Sequence, residues 1–515
     1  MRRLPASLAV VSALASLALG GCFLALGFGD YDKSDPEQIR DAGGSDVAIG
    51  EGGAGSAFFT IAPTDVVLVP GTTAKIEAKL QRRDGFLGVV RLSATGLPPG
   101  VTTNANGLVI AATASTAEIT ITAAPEAKHT KATLELRAET DGKTFDAKIT
   151  LLVRGAPGSV DTSFGTDGVM HVSFAEAATL ARMRLLADDR ILLAGDVGGS
   201  AFALARLGAD GALDPSFAGT GTTFTKGTNG SAAGLGLGPT GFVAAGAATG
   251  SLTVVRYRDD GSLDPAFNAG MPLNVSIATF SIADVFVKPG GGIAITGDDG
   301  FRPTVLHIGA AGAGIDTTVG DAGVVQSAAG GVVGGAALSA DGTLFAGASF
   351  TAGGACSLLD FGAFGATTPV PSEEVPGCAK VMDLLLGDGG TRAVAGTTIG
   401  PQFSDNMIAY RRSLDEKTKT SVALGKGVAS GVALDSSNRM VVVGSPEATD
   451  GRRFFVTRIG ANDALDPSFA LGPASLGSAM VAKRVAIQRD GRIVVAGTSE
   501  SLGKRSVFTV VRYWP

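Results

Sequence analysis

The sequence is poor in the side chains that most often carry acid–base and metal chemistry. Its 515 residues include four tyrosines and three histidines, His129, His171 and His307. No histidine stands in a metal-binding spacing such as His-Glu-x-x-His, so no zinc site is predicted. The chain also contains no Gly-x-Ser-x-Gly motif and no Walker-type phosphate loop. From these residues we predict no catalytic group, no metal and no cofactor.

One segment matches a cofactor motif letter for letter. Residues 236–241 read Gly-Leu-Gly-Pro-Thr-Gly, the spacing of a dinucleotide-binding fingerprint. That fingerprint needs a helix behind it to hold the pyrophosphate, and its amides must be free to donate. No helical pattern follows here, and Pro239 removes one amide donor. We therefore interpret the segment as the turn of a β-hairpin.

Aspartates recur in a phrase of the form Leu-Asp-Pro-Ser-Phe. The phrase is best preserved at residues 213–217, 263–267 and 465–469, with variants at 160–164 and 315–317. Its aspartates are Asp161, Asp214, Asp264, Asp316 and Asp466. A short acidic side chain in a turn can accept hydrogen bonds from nearby backbone amides. Because the residue returns in repeat after repeat, a structural turn cap is favoured over a catalytic or metal-binding role.

Two further phrases repeat with a period near 50 residues. Apolar strands end on glycine at residues 195, 246, 297, 347, 396, 444 and 497, and a strand that often carries arginine follows each of them. Tight, mostly Gly-containing turns between the apolar runs favour hairpins. Each unit is interpreted as four antiparallel strands, and such units arranged radially form a β-propeller. The first strand, near Val169–Val172, is expected to complete the last blade beside Val510–Tyr513.

The residues before the repeats divide into two parts. Residues 57–155 contain short alternating segments separated by turn signals, the pattern of a β-sandwich. Residues 22–56 are polar and Gly-rich, with several acidic residues, and are predicted to be a flexible linker. The predicted fold is therefore all-β, with an immunoglobulin-like sandwich followed by a seven-bladed propeller of four-stranded blades over residues 158–515.

Composition excludes some classes of partner. The formal net charge is −6, 17% of residues are charged and 45% are hydrophobic. Nucleic acid and anionic lipid surfaces both require a basic face, so no nucleic-acid partner is expected. The hydrophobic content also argues against extensive disorder.

The N-terminus resembles a bacterial lipoprotein signal. Two arginines precede an apolar stretch from Leu4 to Leu19, which ends in Leu-Gly-Gly-Cys22. The resemblance implies a signal peptide over residues 1–21, lipidation of Cys22 and attachment to a membrane. Since Phe23 is not aspartate, it further implies the outer membrane of a Gram-negative host. The alternative is an uncleaved membrane helix that continues through Phe28.

Two cysteines remain besides Cys22. An even pair in an exported protein suggests a disulfide between Cys356 and Cys378, with two buried free thiols as the alternative. The segment between them also holds Pro369, Pro371 and the acidic pair Glu373 and Glu374. The repeat pattern is most disturbed in this segment. One hypothesis is therefore that it forms an acidic loop, closed by the disulfide, that serves as a binding site.

The repeats are similar to the delta-60 repeat of exported bacterial proteins, on the recurring Leu-Asp-Pro-Ser-Phe and Val-Val-Arg-Tyr phrases. That resemblance implies a β-propeller and assigns no biochemical role. Residues 97–102, Leu-Pro-Pro-Gly-Val-Thr, resemble a phrase of bacterial immunoglobulin-like domains.

Two functions remain open from the sequence. In the first, the chain is a cell-envelope lipoprotein whose propeller binds an unknown protein or glycan, with the sandwich as a spacer. In the second, the propeller is an extracytoplasmic hydrolase or lyase that acts on glycan or peptide. Few histidines and tyrosines favour the first. Whether the chain faces the periplasm or the cell surface stays open.

Overall fold

The structure is a computed structural model, and it describes most of the chain from Ser45 onward. The described residues are 45–49, 56–83, 86–125, 127–140, 143–228, 230–350, 355–387, 390–399, 405–412, 419–447, 454–469, 480–500 and 505–515. The predicted signal peptide, Cys22 and much of the predicted linker lie outside them. Within the described ranges the elements are strands, apart from a 3₁₀ turn at Asn268–Gly270, which confirms the all-β prediction. None of the described helical residues forms a span long and apolar enough to cross a membrane.

The N-terminal unit consists of two five-stranded sheets. The first has the order β1 (Ser45–Ile49), β2 (Ser56–Ala62), β4 (Thr73–Arg83), β8 (Thr116–Ala123) and β6 (Val101–Thr103). The second has the order β3 (Asp65–Leu68), β10 (Lys143–Val153), β9 (Thr130–Thr140), β5 (Val90–Thr95) and β7 (Val109–Ile110). We call these two sheets the N-terminal unit.

The core of the N-terminal unit follows from strict alternation along its strands. In β9, Leu134, Leu136 and Ala138 are buried while the residues between them are exposed. These side chains join Ile76 and Ile119 of the facing sheet in one apolar cluster. Alternation with period two places every second side chain on one face, so each sheet has one apolar and one polar side.

One strand of the N-terminal unit lies inside the segment predicted to be linker. Strand β1 pairs antiparallel with β2, with Ser45 opposite Ile61. The linker prediction over residues 22–56 is therefore too long at its C-terminal end. A strand added at a free sheet edge is held by backbone hydrogen bonds, which composition does not reveal.

The rest of the chain forms further antiparallel sheets in chain order. The first four sheets are four-stranded. They consist of β12 (Ala178–Leu185) to β15 (Thr222–Thr225), β16 (Gly234–Gly238) to β19 (Leu273–Ser276), β20 (Ser281–Val287) to β23 (Val324–Gln326), and β24 (Gly331–Leu338) to β27 (Val370–Val375). Their middle strands are β13 (Ile191–Val197), β14 (Ala201–Leu207), β17 (Gly241–Ala248), β18 (Ser251–Arg258), β21 (Ile293–Asp298), β22 (Pro303–Ile308), β25 (Thr343–Phe350) and β26 (Cys356–Ala363).

A six-stranded sheet comes next, followed by a final four-stranded one. The former contains β28 (Lys380–Leu386), β29 (Arg392–Ile399), β30 (Asp405–Arg412), β31 (Lys419–Leu434), β32 (Met440–Pro446) and β33 (Phe455–Ile459). The long β31 pairs with β30 through its first half and with β32 through its second half. The final sheet has the order β34 (Met480–Ile487), β35 (Ile493–Glu500), β36 (Ser506–Tyr513) and β11 (Val169–Val172).

These sheets stand radially around an axis and close into a ring. The first strands β12, β16, β20, β24, β28, the second half of β31, and β34 each pack against the next, and β34 packs against β12. We call them the inner strands. This radial arrangement is a β-propeller.

Chain closure follows the sequence expectation. Strand β11 pairs antiparallel with β36, with Val169 opposite Val511 and Val172 opposite Phe508. The first strand of the repeat region thus completes the sheet formed by the last strands of the chain. This pairing confirms the predicted closure and removes two sheet edges that would otherwise be unpaired.

Glycines allow neighbouring inner strands to approach closely. A Cβ atom at Gly334 would lie 1.6 Å from the Val381 carbonyl oxygen of the next inner strand, and one at Gly335 would lie 2.6 Å from the Leu384 amide nitrogen. Any larger residue there would force the two sheets apart.

The N-terminal unit contacts the ring through a small polar–aromatic junction. The ring of His129 lies 4.7 Å from that of Trp514, centroid to centroid. His129 Nδ1 is 2.8 Å from the Val153 carbonyl oxygen, and Arg492 Nη2 donates to His129 Nε2 at 2.8 Å. Burial is the main reason that the pKa of His129 is lowered, and the Arg492 charge adds to it. The neutral imidazole is therefore the form that fits this junction.

Candidate functional site in the central channel

The recurrent aspartates lie in turns and bind backbone amides. Each accepts a hydrogen bond at Oδ1 from the amide nitrogen two residues later. The distances are 3.1 Å at Asp161, 2.9 Å at Asp214, 3.0 Å at Asp264, 3.2 Å at Asp316 and 2.9 Å at Asp466. This is the geometry of an Asx turn, so the structure gives these carboxylates a local structural role.

An arginine from the third strand of a sheet binds the other oxygen of several of these carboxylates. Arg206 Nε lies 2.7 Å from Asp214 Oδ2, and its guanidinium carbon lies 5.0 Å from the centroid of the Phe217 ring. Burial alone would raise the pKa of Asp214. Hydrogen bonds from Ser216, Arg190 and Arg206 outweigh it and hold that pKa far below its usual range. The same arrangement joins Arg512 to Asp161 and Phe164, and Arg458 to Asp466 and Phe469.

These arginines also connect neighbouring sheets. Arg256 in β18 donates to the Ala310 carbonyl oxygen just after β22, at 2.9 Å. Within the six-stranded sheet, Arg411 in β30 reaches the Ala461 carbonyl oxygen after β33, at 2.8 Å. Arg512 in β36 reaches the Ala209 carbonyl oxygen after β14, at 2.6 Å. The last contact links the end of the chain to the first sheet. The phrase that recurs in the sequence is therefore a device that holds the ring together.

The other residues that the sequence analysis singled out lie apart from one another. His171 Nδ1 is 3.0 Å from Thr509 Oγ1, and the buried His307 Nε2 is 3.0 Å from the Gly365 carbonyl oxygen. Residues 236–241 span the end of β16 and the turn into β17, as expected for a hairpin. In the described ranges, no group of three or more His, Cys, Asp or Glu side chains is arranged to hold a metal ion.

Cys356 lies in β26 and Cys378 follows the edge strand β27, and the segment predicted to be an acidic loop is instead part of a sheet. The structure joins Cys356 and Cys378 by a disulfide with a Cα–Cα distance of 5.4 Å. The residues predicted to form the loop are the edge strand β27, whose Glu373 is 5% exposed. Glu373 Oε2 lies 2.7 Å from Arg392 Nη1 and 3.0 Å from Arg412 Nη1, so its charge is used internally. Strand β27 pairs with β26 in an irregular register, and this pairing turns the Glu373 side chain inward.

A cavity of about 390 Å³ opens in the central channel where the inner strands end. Its walls are mostly apolar. The apolar walls include Leu185, Phe286, Leu338, Leu385, Leu434 and Ile487. Four charged side chains also line it, namely Arg184, Asp284, Asp383 and Arg484. A mostly apolar cavity with a few convergent polar groups is the usual form of a small-molecule site.

The charged residues occupy equivalent positions on alternate inner strands. In each inner strand, one residue pairs with the second-strand residue that immediately precedes the recurring glycine, except in β24, where the equivalent residue pairs with that glycine itself. These equivalent residues are Arg182, Gly234, Asp284, Gly335, Asp383, Gly431 and Arg484. Charge and glycine therefore alternate around the channel, and two arginines meet where the ring closes. The glycines leave room for the longer side chains of their neighbours.

Two arginines of β12 cross the channel to β20. Arg184 forms an ion pair with Asp284, and Arg182 donates to the Ala283 carbonyl oxygen through Nη2. The Arg182 side chain is buried, and no described residue accepts a hydrogen bond from its Nε atom. A buried guanidinium donor without an acceptor is costly to the fold.

Asp383 and Arg484 complete the site from the opposite side. Asp383 Oδ2 accepts the Val432 amide at 3.1 Å, and Arg484 Nη1 donates to the Ser430 carbonyl oxygen at 3.0 Å. Burial raises the pKa of the Asp383 carboxyl to about 6, although the Val432 amide and Arg182 oppose that change. No described carboxylate lies within 4 Å of Arg484. The site therefore combines a carboxyl that titrates near neutrality with a guanidinium that lacks an ion pair.

Sequence analysis did not find this cluster. Its members Arg182, Asp284, Asp383 and Arg484 are each about 100 residues from the next and belong to no motif. A signal was nevertheless present: each inner strand is otherwise apolar or Gly-rich, so a charged residue inside it conflicts with the pattern. Aligning the repeats on their hairpins would have placed Arg182, Asp284, Asp383 and Arg484 in one column.

Comparison with known proteins supports the fold. The model of a family described as "Domain of unknown function (DUF5122) beta-propeller" matches residues 186–217 and 488–515. The two matched segments lie in the first and last sheets of the ring. No curated protein sequence matches the chain. The chain is thus an all-β protein that contains a β-propeller.

Solved structures with similar folds have diverse activities. A quinonprotein alcohol dehydrogenase-like protein from Bacteroides thetaiotaomicron is 11% identical, with 88% of this chain and 96% of that chain covered and a TM-score of 0.33. Prolyl oligopeptidase B from Galerina marginata is 8% identical, with 72% and 54% covered and a TM-score of 0.35. Trypanosoma rangeli sialidase is 10% identical, with 84% and 56% covered and a TM-score of 0.24. At these scores the likenesses carry no argument about activity.

Proposed function

We propose that this chain is an exported binding protein whose propeller holds a small ligand at one mouth of its central channel. The observation that carries the proposal is the convergence of Arg184, Asp284, Asp383 and Arg484 on one cavity, with Arg182 buried beside it. Buried charges are costly to a fold, and these are not needed to close the ring, since glycine takes the equivalent place in other inner strands. Charged residues at a position that other repeats fill with glycine are typical of a functional site.

The remaining parts of the chain fit a role in holding the propeller away from the membrane. We propose seven blades, with β31 supplying strands to two successive ones, and an immunoglobulin-like N-terminal unit that acts as a spacer. Ahead of it, a lipid on Cys22 would tether the protein to the outer membrane through a linker. Two or three acyl chains anchor a protein stably, whereas one does so marginally.

The ligand proposal is tested by native mass spectrometry. The purified full chain is dialysed against a small-molecule extract of the host envelope, desalted, and weighed intact. Ala486 lines the cavity, so Ala486→Trp should fill it. The matched control is Ala248→Trp, because Ala248 is exposed at the hairpin between β17 and β18.

We expect a mass adduct on the wild type and on Ala248→Trp, and none on Ala486→Trp. The absence of any adduct, or an adduct that survives Ala486→Trp, would show that the channel is not the binding site.

The anchor is tested separately by protease treatment of intact cells. Wild type and Cys22→Ala are compared, and the propeller is followed by immunoblot. Release of Cys22→Ala from the membrane fraction is expected. Digestion of the wild-type propeller would place it at the cell surface, and protection would place it in the periplasm. Equally firm membrane attachment of Cys22→Ala would refute the lipid anchor.

One observation favours a hydrolase as the second candidate. The cavity holds two carboxyls, and burial brings the pKa of Asp383 to about 6, which suits a general acid. If the channel hydrolyses glycosides, the wild type should release 4-nitrophenol from an aryl glycoside and Asp383→Asn should not. Equal rates for both proteins, or no release by either, would exclude Asp383 as that acid.

A further inference from the structure

We infer that the ligand of the channel site is a small carboxylate with an apolar body. The inference rests on the proposed function and specifies the chemistry of the same site. It follows from the balance of charge in the cavity, the free donors of its arginines, and the apolar surface around them.

Counting the buried Arg182 beside the cavity, the charged cluster at the site has one more positive charge than negative. Arg184 and Asp284 form an ion pair and offset each other. Of the other three charged groups, Arg182 and Arg484 are cations and Asp383 is an acid, and none of them lies within 4 Å of an opposite charge among the described residues. With Asp383 ionised, the surplus is one positive charge. A bound monoanion would neutralise it, whereas a cation would increase it.

Arg484 is the arginine best placed to receive an anionic group. It lines the cavity, and both of its hydrogen bonds to described residues leave from Nη1, to the Ser430 and Lys483 carbonyl oxygens at 3.0 and 2.7 Å. Its Nε and Nη2 donors therefore have no acceptor among the described residues. This pair of donors forms the planar edge that binds a carboxylate through two parallel hydrogen bonds.

The size and lining of the cavity define the rest of the ligand. Its volume of about 390 Å³ is near the lower end of the usual range for small-molecule sites. Apart from the charged groups, the walls carry aliphatic side chains and the ring of Phe286. A doubly charged phosphate would leave one negative charge unmatched and would make little use of these walls. A monocarboxylate with an aliphatic or aromatic body satisfies both requirements.

Three probes with the same body separate the contributions of charge and apolar surface. Octanoate, octylammonium and 1-octanol are titrated into the full chain by isothermal titration calorimetry at neutral pH. We expect octanoate to bind at least tenfold more tightly than 1-octanol, as one charge-assisted hydrogen-bonded contact provides about 1.5–3 kcal/mol. Octylammonium should bind most weakly of the three.

Two substitutions should change the affinity for octanoate in opposite directions. Arg484→Gln removes the receiving charge without leaving a carboxylate unpaired, and should weaken octanoate binding on the order of tenfold. Asp383→Asn keeps an acceptor for the Val432 amide and removes the competing negative charge, and should tighten binding. Arg137→Gln is the control, since Arg137 lies exposed on the N-terminal unit.

Circular dichroism and urea unfolding of each variant establish that it is folded before its affinity is compared. Opposite shifts by the two channel variants, with no shift in the control, would support the inference. Equal affinity for the three probes, preference for octylammonium, no binding of any probe, or an Arg484→Gln affinity equal to wild type would each overturn it. An adduct that Ala486→Trp abolishes would leave the proposed function standing even then.

Discussion

The strongest prediction concerns the ion pair that closes the ring. Asp161 follows the N-terminal unit and Arg512 lies in the last strand, and their side chains meet with Nε and Oδ2 at 2.8 Å. Asp161 is 1% exposed and Arg512 is 3% exposed. The substitution Asp161→Asn removes the negative charge while keeping an oxygen that can cap the turn at Ser163.

The expected cost follows from burial. Breaking a buried ion pair by removing one partner leaves the other charge uncompensated and costs about 3–5 kcal/mol. Arg492 Nε, 3.4 Å from the same carboxylate oxygen, would also lose that contact and keep its ion pair with Asp490 at 3.3 Å. We therefore expect Asp161→Asn to lower the free energy of unfolding of the propeller by at least about 3 kcal/mol.

The N-terminal unit provides a matched control. Arg137 and Asp146 form an ion pair with the same 2.8 Å distance, but the two side chains are 55% and 49% exposed. Exposed pairs contribute about 0–1 kcal/mol. Asp146→Asn should therefore change stability far less than Asp161→Asn does, because solvent already screens that charge.

Urea unfolding measures both effects. The single tryptophan, Trp514, is two residues beyond Arg512 and is 6% exposed, so its fluorescence reports the closure directly. Far-UV circular dichroism follows the rest of the chain. If Asp161→Asn proved no more destabilising than Asp146→Asn, the claim that buried arginine–aspartate pairs hold the ring together would be refuted.

Three further predictions concern single residues. Glu373→Ala should destabilise the chain by about 3–5 kcal/mol in thermal unfolding, because Glu373 is buried against two arginines. The substitution Glu374→Ala, at the exposed neighbouring residue, should cost less than about 0.5 kcal/mol. Similar melting temperatures for the two variants would contradict this. The double substitution of Cys356→Ser and Cys378→Ser should lower the free energy of unfolding by about 3 kcal/mol, since the disulfide closes a loop with a sequence separation of 22. Free thiols found by peptide mapping without reductant would argue against the bond. Burial raises the pKa of Asp383 to about 6, so the folded chain holds this proton more tightly than the unfolded chain does. Its contribution to stability should therefore fall by about 3 kcal/mol as the pH rises from about 4 through about 6, and superimposable pH–stability profiles for wild type and Asp383→Asn would rule it out.

Local features of the fold could be predicted because the sequence places their partners side by side. An aspartate and the amide two residues later need only a turn to meet, so the caps at Asp214 and Asp466 follow from the repeated phrase. Hairpin strands are also neighbours in the chain, and alternation identifies which of their residues face inward. The ring closure joins segments at opposite ends of the repeat region, and it was expected because propellers commonly complete their last blade with their first strand.

The burial of Glu373 could not be predicted in the same way. Residues 369–374 carry two prolines and two acidic residues, which is typical of an exposed loop. In the structure the segment is an edge strand, and the irregular pairing with β26 turns one acid toward Arg392 and leaves the next in solvent. A shift of one residue in register exchanges the two faces of a strand, and sequence does not fix that register.

By itself, the sequence determined the repeat, the strands within it and the turns between them, because these depend on residues within a few positions of one another. Only the tertiary structure decided that Arg184, Asp284, Asp383 and Arg484 share one cavity, because they lie on inner strands far apart in the chain and meet only when the ring closes. Burial in that ring also sets the proton affinity of Asp383 and leaves Arg484 without an ion pair. Those properties depend on distance and solvent exclusion, which the chain acquires on folding.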